Sequence, residues 1–307
     1  MTALDQDIGG ESKTLTGASR NLVIVRAGDN SLHRGWGAGD PECVFDLIVS
    51  YYGSDPLAFR QPHENRVDYI GGKWDGLHAL LVQKPELLDR YQYIWFPDDD
   101  LEADRTTIEA MFANMRRLDL HIAQPALTPD SYYSHLPFLR SKSFEFRLID
   151  KVEIMAPCMR SDVAGKMLPL FKGSMSGFGL DHLWTRLAEQ NLGKSAVFDA
   201  LTVRHTRPVG IHLATTILKS GRSAEAEYRQ LAMRYGLGEF FPLSYGAVDH
   251  AGRCWRSRSM IGLRMMADYF VERKDFRRAF RPKKLLWRFL RRQCAEPIDL
   301  SQIVLDA

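Results

Sequence analysis

The chain has 307 residues, 45% hydrophobic and 26% charged, a composition that suits a globular protein with one large domain or two small ones. No apolar run approaches the roughly 18 residues of a membrane-spanning helix, and the four cysteines (Cys43, Cys158, Cys254, Cys294) form no CxxC pair, which argues against a zinc ribbon or disulfide framework and fits a reducing cytoplasm. The net charge of +3 hides an asymmetry: residues 273–293 hold ten Lys/Arg and one Asp, a local +9 that leaves −6 for the remainder.

The first twenty residues are polar, lack the basic-then-apolar order of a signal peptide, and read as a disordered lead-in. "NLVIVRAG" (21–28) then predicts a buried strand running into a glycine-containing loop. "VFDLIVSYYG" (44–53) predicts a second strand and "VDYIGG" a short third one. "KWDGLHALLVQKPELLDR" carries helical spacing that Pro85 breaks or restarts. "YQYIWFPDDDLEAD" (91–104) is a strand that ends on three aspartates. "TTIEAMFANMRRL" makes a helix and "LHIAQPAL" a strand. "KVEIMAPCMRSDVAGKMLPLF" reads as a strand followed by a helix. "GSMSGFGLDHLWTRLAEQNL" is a glycine-rich turn entering an amphipathic helix, and "KSAVFDALTVRHTRP" a strand ending in a histidine. Strands alternating with helices predict an α/β fold with a mostly parallel central sheet in three layers, and ligands in such sheets collect at the C-terminal ends of strands.

Three like charges at the end of a buried strand repel unless something positive sits among them. Asp98 and Asp100 on alternate positions can reach one hard divalent cation, while the bland alternative is a solvated turn capping the next helix. In "GFGLDHLW" (177–184), glycines allow close backbone approach to a ligand, and Asp181 at the helix start could act as a general base or serve as an early-helix acid. His205, where its strand runs out, could complete the shell of a metal begun by carboxylates, or be an ordinary hydrogen-bonded loop histidine.

These segments, "KW" (73–74), "LDRYQYIWFPDDDL" (88–101), "IAQPAL" (122–127), "VEIMAPCMR" (152–160), "GFGLDHLW" (177–184), "VFDALTVRHTRPVG" (197–210) and "RSAEAEYRQLAMRYG" (222–236), in that order resemble a plant and bacterial family known as domain of unknown function 707. That family is itself similar to metal-dependent glycosyltransferases of the GT-A (Rossmann-like) fold. The resemblance spans about residues 68–236 and implies a three-layer α/β/α sandwich. It implies Asp98, Asp100 and His205 as ligands of Mn²⁺ or Mg²⁺, with Asp98 nearer the donor ribose, and Asp181 as the base of an inverting transfer. Leu180 stands where some relatives carry a further acid, and Asp99 where the family often has Glu. A strand-end nucleotide pocket would be lined by Arg26, Gly28, Tyr51, Lys73, Asp98 and Asp99, and the acceptor side by Gly177, Phe178, Gly179 and Trp184.

"RPKKLLWRFLRRQ" (281–293) places Leu285, Leu286, Phe289 and Leu290 on one helical face with cations on the flanks. That pattern suits either an interfacial helix on an anionic membrane, at the cytoplasmic face of the inner membrane, or a terminal helix docked on the domain. Nucleic acid is disfavoured, because no recognised motif or stacking platform accompanies the charge. The expected organisation is a lead-in (1–20), a GT-A-like domain (21–245) and a basic, mainly helical extension (246–307). The expected function is transfer of a sugar from a nucleotide-diphosphate-sugar donor to the hydroxyl of a glycan or lipid-linked acceptor in bacterial cell-surface polysaccharide or glycolipid synthesis. The alternatives are a metal-dependent phosphoryl- or nucleotidyltransferase, or a non-catalytic membrane- or partner-binding domain with a degenerate site.

Overall fold

The computed structural model describes residues 21–189, 194–208, 223–237, 241–277 and 282–295. The lead-in and the last twelve residues therefore lie outside the described residues. Strands β1 (Asn21–Ala27), β2 (Asp46–Tyr51) and β3 (Arg66–Asp68) pair in parallel, and β1 also pairs in parallel with β4 (Tyr93–Trp95). Every residue of β1 is buried, so helices or loops must cover both faces of the sheet at its centre. Helix α1 (Lys73–Gln83) ends just before Pro85, which begins α2 (Glu86–Arg90), as the proline predicts. Helix α3 (Arg105–Arg117) is capped by Asp104, whose side chain accepts from the Thr107 amide at 2.7 Å.

Beyond β4 the sheet continues through β8 (Cys158–Arg160), β6 (Ile122–Leu127), β9 (Ser195–His205), β7 (Phe146–Ile149), β10 (Ser244–Val248) and β11 (Cys254–Trp255), in that spatial order. The α/β class stands. In direction the sheet is mostly parallel, since along this path only β7, β8 and β11 run against β1, but each sits between or beside parallel strands and makes the pairing mixed. β7 and β8 run in the same direction, are joined by irregular chain without a crossover helix, and each pairs antiparallel with both of its neighbours. Two departures from the sequence reading stand out. No strand is read between residues 128 and 150, yet β7 forms there. Of "KVEIMAPCMR", only Cys158–Arg160 is a strand, and residues 151–157 cross the edge of the sheet as irregular chain.

Pro125 sits inside β6, where it cannot donate to the ladder. Its position coincides with a register jump: Pro125 pairs with Phe198 but Ala126 with Thr202, so residues 199–201 bulge out of β9. The bulge turns Asp199 into the core beside Arg147 of β7. The short β5 (Leu101–Glu102) then pairs with the end of β9, setting Leu101 opposite His205. This ladder brings the aspartate triplet against a histidine more than a hundred residues away.

Helix α4 (Ser161–Phe171) follows β8, α5 (Leu180–Glu189) precedes β9, and α6 (Ala224–Tyr235) precedes β10. The sheet does not stop at residue 245, which falls inside β10, and α7 (Arg258–Glu272) packs on that strand. Helix α8 (Pro282–Ala295) lies on α7. Leu286 and Phe289 are buried, the Phe289 ring stacks edge-on to Tyr269 at 5.8 Å, and Gln293 accepts from the Ser244 amide at 3.1 Å. The apolar face of this basic helix is thus spent on the domain, which selects docking over insertion into lipid. Lys284, Trp287, Arg288 and Arg291 remain outward. Among the described residues, no helix is long and apolar enough to cross a membrane.

Candidate active site

Seven strands run in one direction, and the residues just past the C-terminal ends of four of them converge: Gly28 after β1, Tyr52 after β2, Asp98 to Asp100 after β4, and His205 closing β9. The triplet divides by side-chain direction. Asp98 continues the parallel pairing with Arg26, its amide donates to the Met155 carbonyl at 2.8 Å, and its Oδ1 takes Lys73 Nζ at 2.7 Å. Lys73, the first residue of α1, also donates to the carbonyls of Ile154 (2.8 Å) and Met155 (3.2 Å). Burial lowers the pKa of this ammonium and raises that of Asp98, against their mutual attraction.

Asp99 faces the other way. Its Oδ2 accepts from the Gly28 amide at 2.8 Å and from the Tyr52 hydroxyl at 3.3 Å, and its Oδ1 meets Arg207 Nη1 at 3.2 Å. Burial pushes its pKa up to about 6, helped by Asp100 and Asp98 and resisted by Gly28 and Arg207. A side chain at position 28 would meet the Tyr52 ring at 3.0 Å, so glycine there permits the contact with Asp99.

Asp100 faces His205, with Oδ2 3.2 Å from Nε2. Nδ1 of that imidazole lies 2.8 Å from the Tyr132 carbonyl, which can only accept, so Nδ1 carries a proton and Nε2 is the nitrogen turned to the carboxylate. Burial pulls the imidazole pKa down, but the hydrogen bond and charge of Asp100 outweigh it and raise it to about 9. The other oxygen, Asp100 Oδ1, is buried with no hydrogen-bond partner among the described residues. A buried carboxylate oxygen without a hydrogen-bond partner, beside an imidazole whose Nδ1 is held by a carbonyl so that Nε2 can ligate once it gives up its proton, fits a hard or borderline divalent cation. Asp98 lies within electrostatic reach of both residues but is in contact with Lys73. No group of three or more His, Cys, Asp or Glu is already gathered around a common point among the described residues.

Asp181 stands in the first turn of α5, buried, with Oδ2 2.9 Å from Lys151 Nζ. The same lysine reaches His182 Nε2 at 3.1 Å. The turn before α5 uses Gly177 (φ +75°) and Gly179 (φ +94°). A Cβ at position 177 would lie 2.2 Å from Trp74 Nε1, so that glycine is required twice, by backbone and by packing. Gly177→Ala is accordingly expected to lower the melting temperature by several degrees, read by differential scanning calorimetry, whereas alanine at Gly236, with open space around it, lowers it less.

The remaining sequence candidates fall in different places. Arg26 is buried, and its guanidinium donates to the Ser50 hydroxyl (2.9 Å) and to the carbonyls of Tyr69 (3.1 Å) and Gly71 (2.7 Å), so it braces the loop before α1. Tyr51 points into the core and bonds Asp29, because strand alternation sends its neighbour Tyr52 to the triplet. Trp184 is core, donating to the Val152 carbonyl at 2.7 Å and packed 5.5 Å from Trp74, whereas Phe178 is 40% exposed. The sequence reading passed over Tyr52, Lys151, Glu153 and Arg207. The signal for the middle two was a lysine and a glutamate alternating with apolar residues in "KVEI", where a buried strand should carry neither.

No protein-family model matches this chain, and no curated protein matches it. Solved structures do show a likeness. S. aureus TarS (residues 1–349) in complex with UDP-GlcNAc shares 14% identity over 70% of this chain and 71% of its own, with a TM-score of 0.46. A mycobacterial protein shares 14% identity over 74% and 80%, with a TM-score of 0.44. CMP:2-keto-3-deoxy-manno-octonic acid synthetase complexed with CTP shares 12% over 66% and 99%, with a TM-score of 0.38. Likeness at this level carries no argument about reaction or substrate. The class of the protein, α/β with a large central sheet, rests on its own strands.

Proposed function

We propose that the chain is a metal-dependent glycosyltransferase that moves a sugar from a nucleotide-diphosphate-sugar to a hydroxyl group. The observation that carries this reading is the Asp100–His205 pair at the C-terminal edge of the sheet, with Asp100 Oδ1 buried and unsatisfied. Asp100 and His205, with Asp98 beside them, would hold Mn²⁺ or Mg²⁺. Such an ion supplies Lewis-acid neutralisation of a departing diphosphate. The groups around Asp99 shape the donor side: the Gly28 amide, Tyr52 and Arg207 build a polar wall at the mouth of β1 and β2. Lys73 holds Asp98 in place and tempers the repulsion within the triplet. The glycine turn at 177–179 and Asp181 lie on the acceptor side, where a hydroxyl must lose its proton.

Cell-surface polysaccharide or glycolipid synthesis is the setting we assign, at the cytoplasmic face of the inner membrane. With the apolar face of α8 docked, any anionic membrane contact is left to its outer residues Lys284, Trp287, Arg288 and Arg291. The test of the transferase reading is a thermal-shift panel of nucleoside diphosphates with and without Mn²⁺. Stabilisation that requires both nucleotide and metal is the expected result. Equal melting temperatures in every condition would sink the reading and favour a degenerate, non-catalytic domain.

A further inference from the structure

One irregular segment, residues 151–156, ties the two halves of the candidate site together. Lys151 pairs with Asp181, the Val152 carbonyl accepts from Trp184, and the carbonyls of Ile154 and Met155 hold Lys73 against Asp98. Glu153 is the residue between these attachments. Its amide is fixed by Gln124 Oε1 at 2.6 Å, which anchors the segment to β6. Its side chain is buried, accepts a hydrogen bond from Ser134, and leaves Oε2 with no partner among the described residues. The charged groups that act on it come from both sides: His205 from the metal side, Asp181 and Lys151 from the acceptor side.

The two acids near the acceptor side are chemically unequal. Asp181 is already engaged, because its Oδ2 meets the Lys151 ammonium at 2.9 Å and is committed to that ion pair. Among the described residues no cation is in contact with Glu153, and its Oε2 is left without a partner. Burial pushes its pKa up to about 7, with Asp181 adding to the rise and Ser134, His205 and Lys151 opposing it. A base poised near the working pH is the stronger one in a proton transfer.

On the transferase reading above, we propose that Glu153, and not Asp181, is the catalytic residue that removes the proton from the incoming hydroxyl, and that the Asp181–Lys151 pair positions the acceptor. In that step the hydroxyl oxygen bonds to the anomeric carbon and its proton passes to Glu153 Oε2. The bond from the anomeric carbon to the diphosphate oxygen breaks, and its electron pair leaves with the nucleoside diphosphate. Neither oxidant nor reductant is needed.

Water can stand in for the acceptor, so the test follows nucleoside diphosphate released from UDP-glucose, UDP-N-acetylglucosamine and GDP-mannose with Mn²⁺, for wild type, Glu153→Gln and Asp181→Asn. Glu153→Gln is expected to release product about 10²- to 10⁴-fold more slowly while keeping the wild-type thermal shift with nucleoside diphosphate and Mn²⁺. The rise of rate through pH 7 should vanish in Glu153→Gln and persist in Asp181→Asn. Release by Glu153→Gln within about threefold of wild type, or loss of the pH limb in Asp181→Asn alone, would overturn the assignment. If Glu153→Gln does not fold, Glu153→Asp replaces it: partial activity with the pH limb retained supports the assignment, and an unaltered rate overturns it. Wild-type protein that shows neither a thermal shift nor release would overturn the transferase reading itself and this one with it.

Discussion

Asp199→Ala is expected to lower the free energy of unfolding by about 3–5 kcal/mol, read as a shift of the urea midpoint. The reason lies in how completely Arg147 is enclosed. Both residues are fully buried, and the guanidinium forks onto the carboxylate through Nε (2.7 Å) and Nη2 (2.9 Å). Its other donors go to the carbonyls of Pro137 (2.8 Å) and Leu139 (3.1 Å) and to the Ser244 hydroxyl (3.2 Å). Removing the carboxylate would leave a permanent cation in the core with no water to receive it, and would strand the Ser141 amide, which donates to Asp199 Oδ1 at 2.7 Å. Arg147→Met should cost less than Asp199→Ala, because the remaining carboxylate can neutralise itself by taking a proton and the thioether replaces lost volume. A midpoint for Asp199→Ala close to that of wild type would show that water reaches the pair.

That pair also marks where the sequence stopped being legible. A run such as "FEFRLID" has an arginine at the centre of what becomes β7, and only its partner, fifty residues later in a bulge, makes the position affordable. Nothing local announces either the bulge or the partner. Pro125 was the single visible hint, since a proline in a central strand demands an interruption of the ladder. The alternation of strands and helices, by contrast, is written in short-range hydrophobic period, so β1, β2, β4, α3 and β9 are readable directly. The site divides along the same line. Asp98 to Asp100 and His205 sit at strand ends, which hydrophobic runs locate, and their convergence follows from the common strand direction. Tyr52 was missed in favour of Tyr51 because one residue of register decides which face a side chain takes. Lys151 and Glu153 were hidden because their segment has a strand's composition but an irregular path, and their roles come from tertiary neighbours alone.

Within the triplet, alanine substitutions should separate two functions that the sequence writes as three identical letters. Asp100→Ala removes the buried oxygen that lacks a partner and the acid facing His205 Nε2. If that position holds the cation that neutralises a leaving diphosphate, its loss removes several kcal/mol of charge stabilisation and about three orders of magnitude of turnover. The joint thermal shift with nucleotide and Mn²⁺ should vanish as well. The apoprotein should lose little stability, since a buried, unsatisfied oxygen goes with the side chain. Asp99→Ala should behave in the opposite way. Its carboxylate closes the loop after β1 through the Gly28 amide and meets Arg207, so removing it frees a buried donor and an arginine without touching the pair below. The expected result is an apoprotein melting several degrees lower, at about 1–3 kcal/mol for the stranded amide, that still gains stability from Mn²⁺ with nucleotide. Isothermal titration with Mn²⁺ in the presence of a nucleoside diphosphate, run on both variants beside their melting curves, reads the two effects separately. Metal binding lost in Asp99→Ala but kept in Asp100→Ala would reverse the assignment and move the cation to the donor wall.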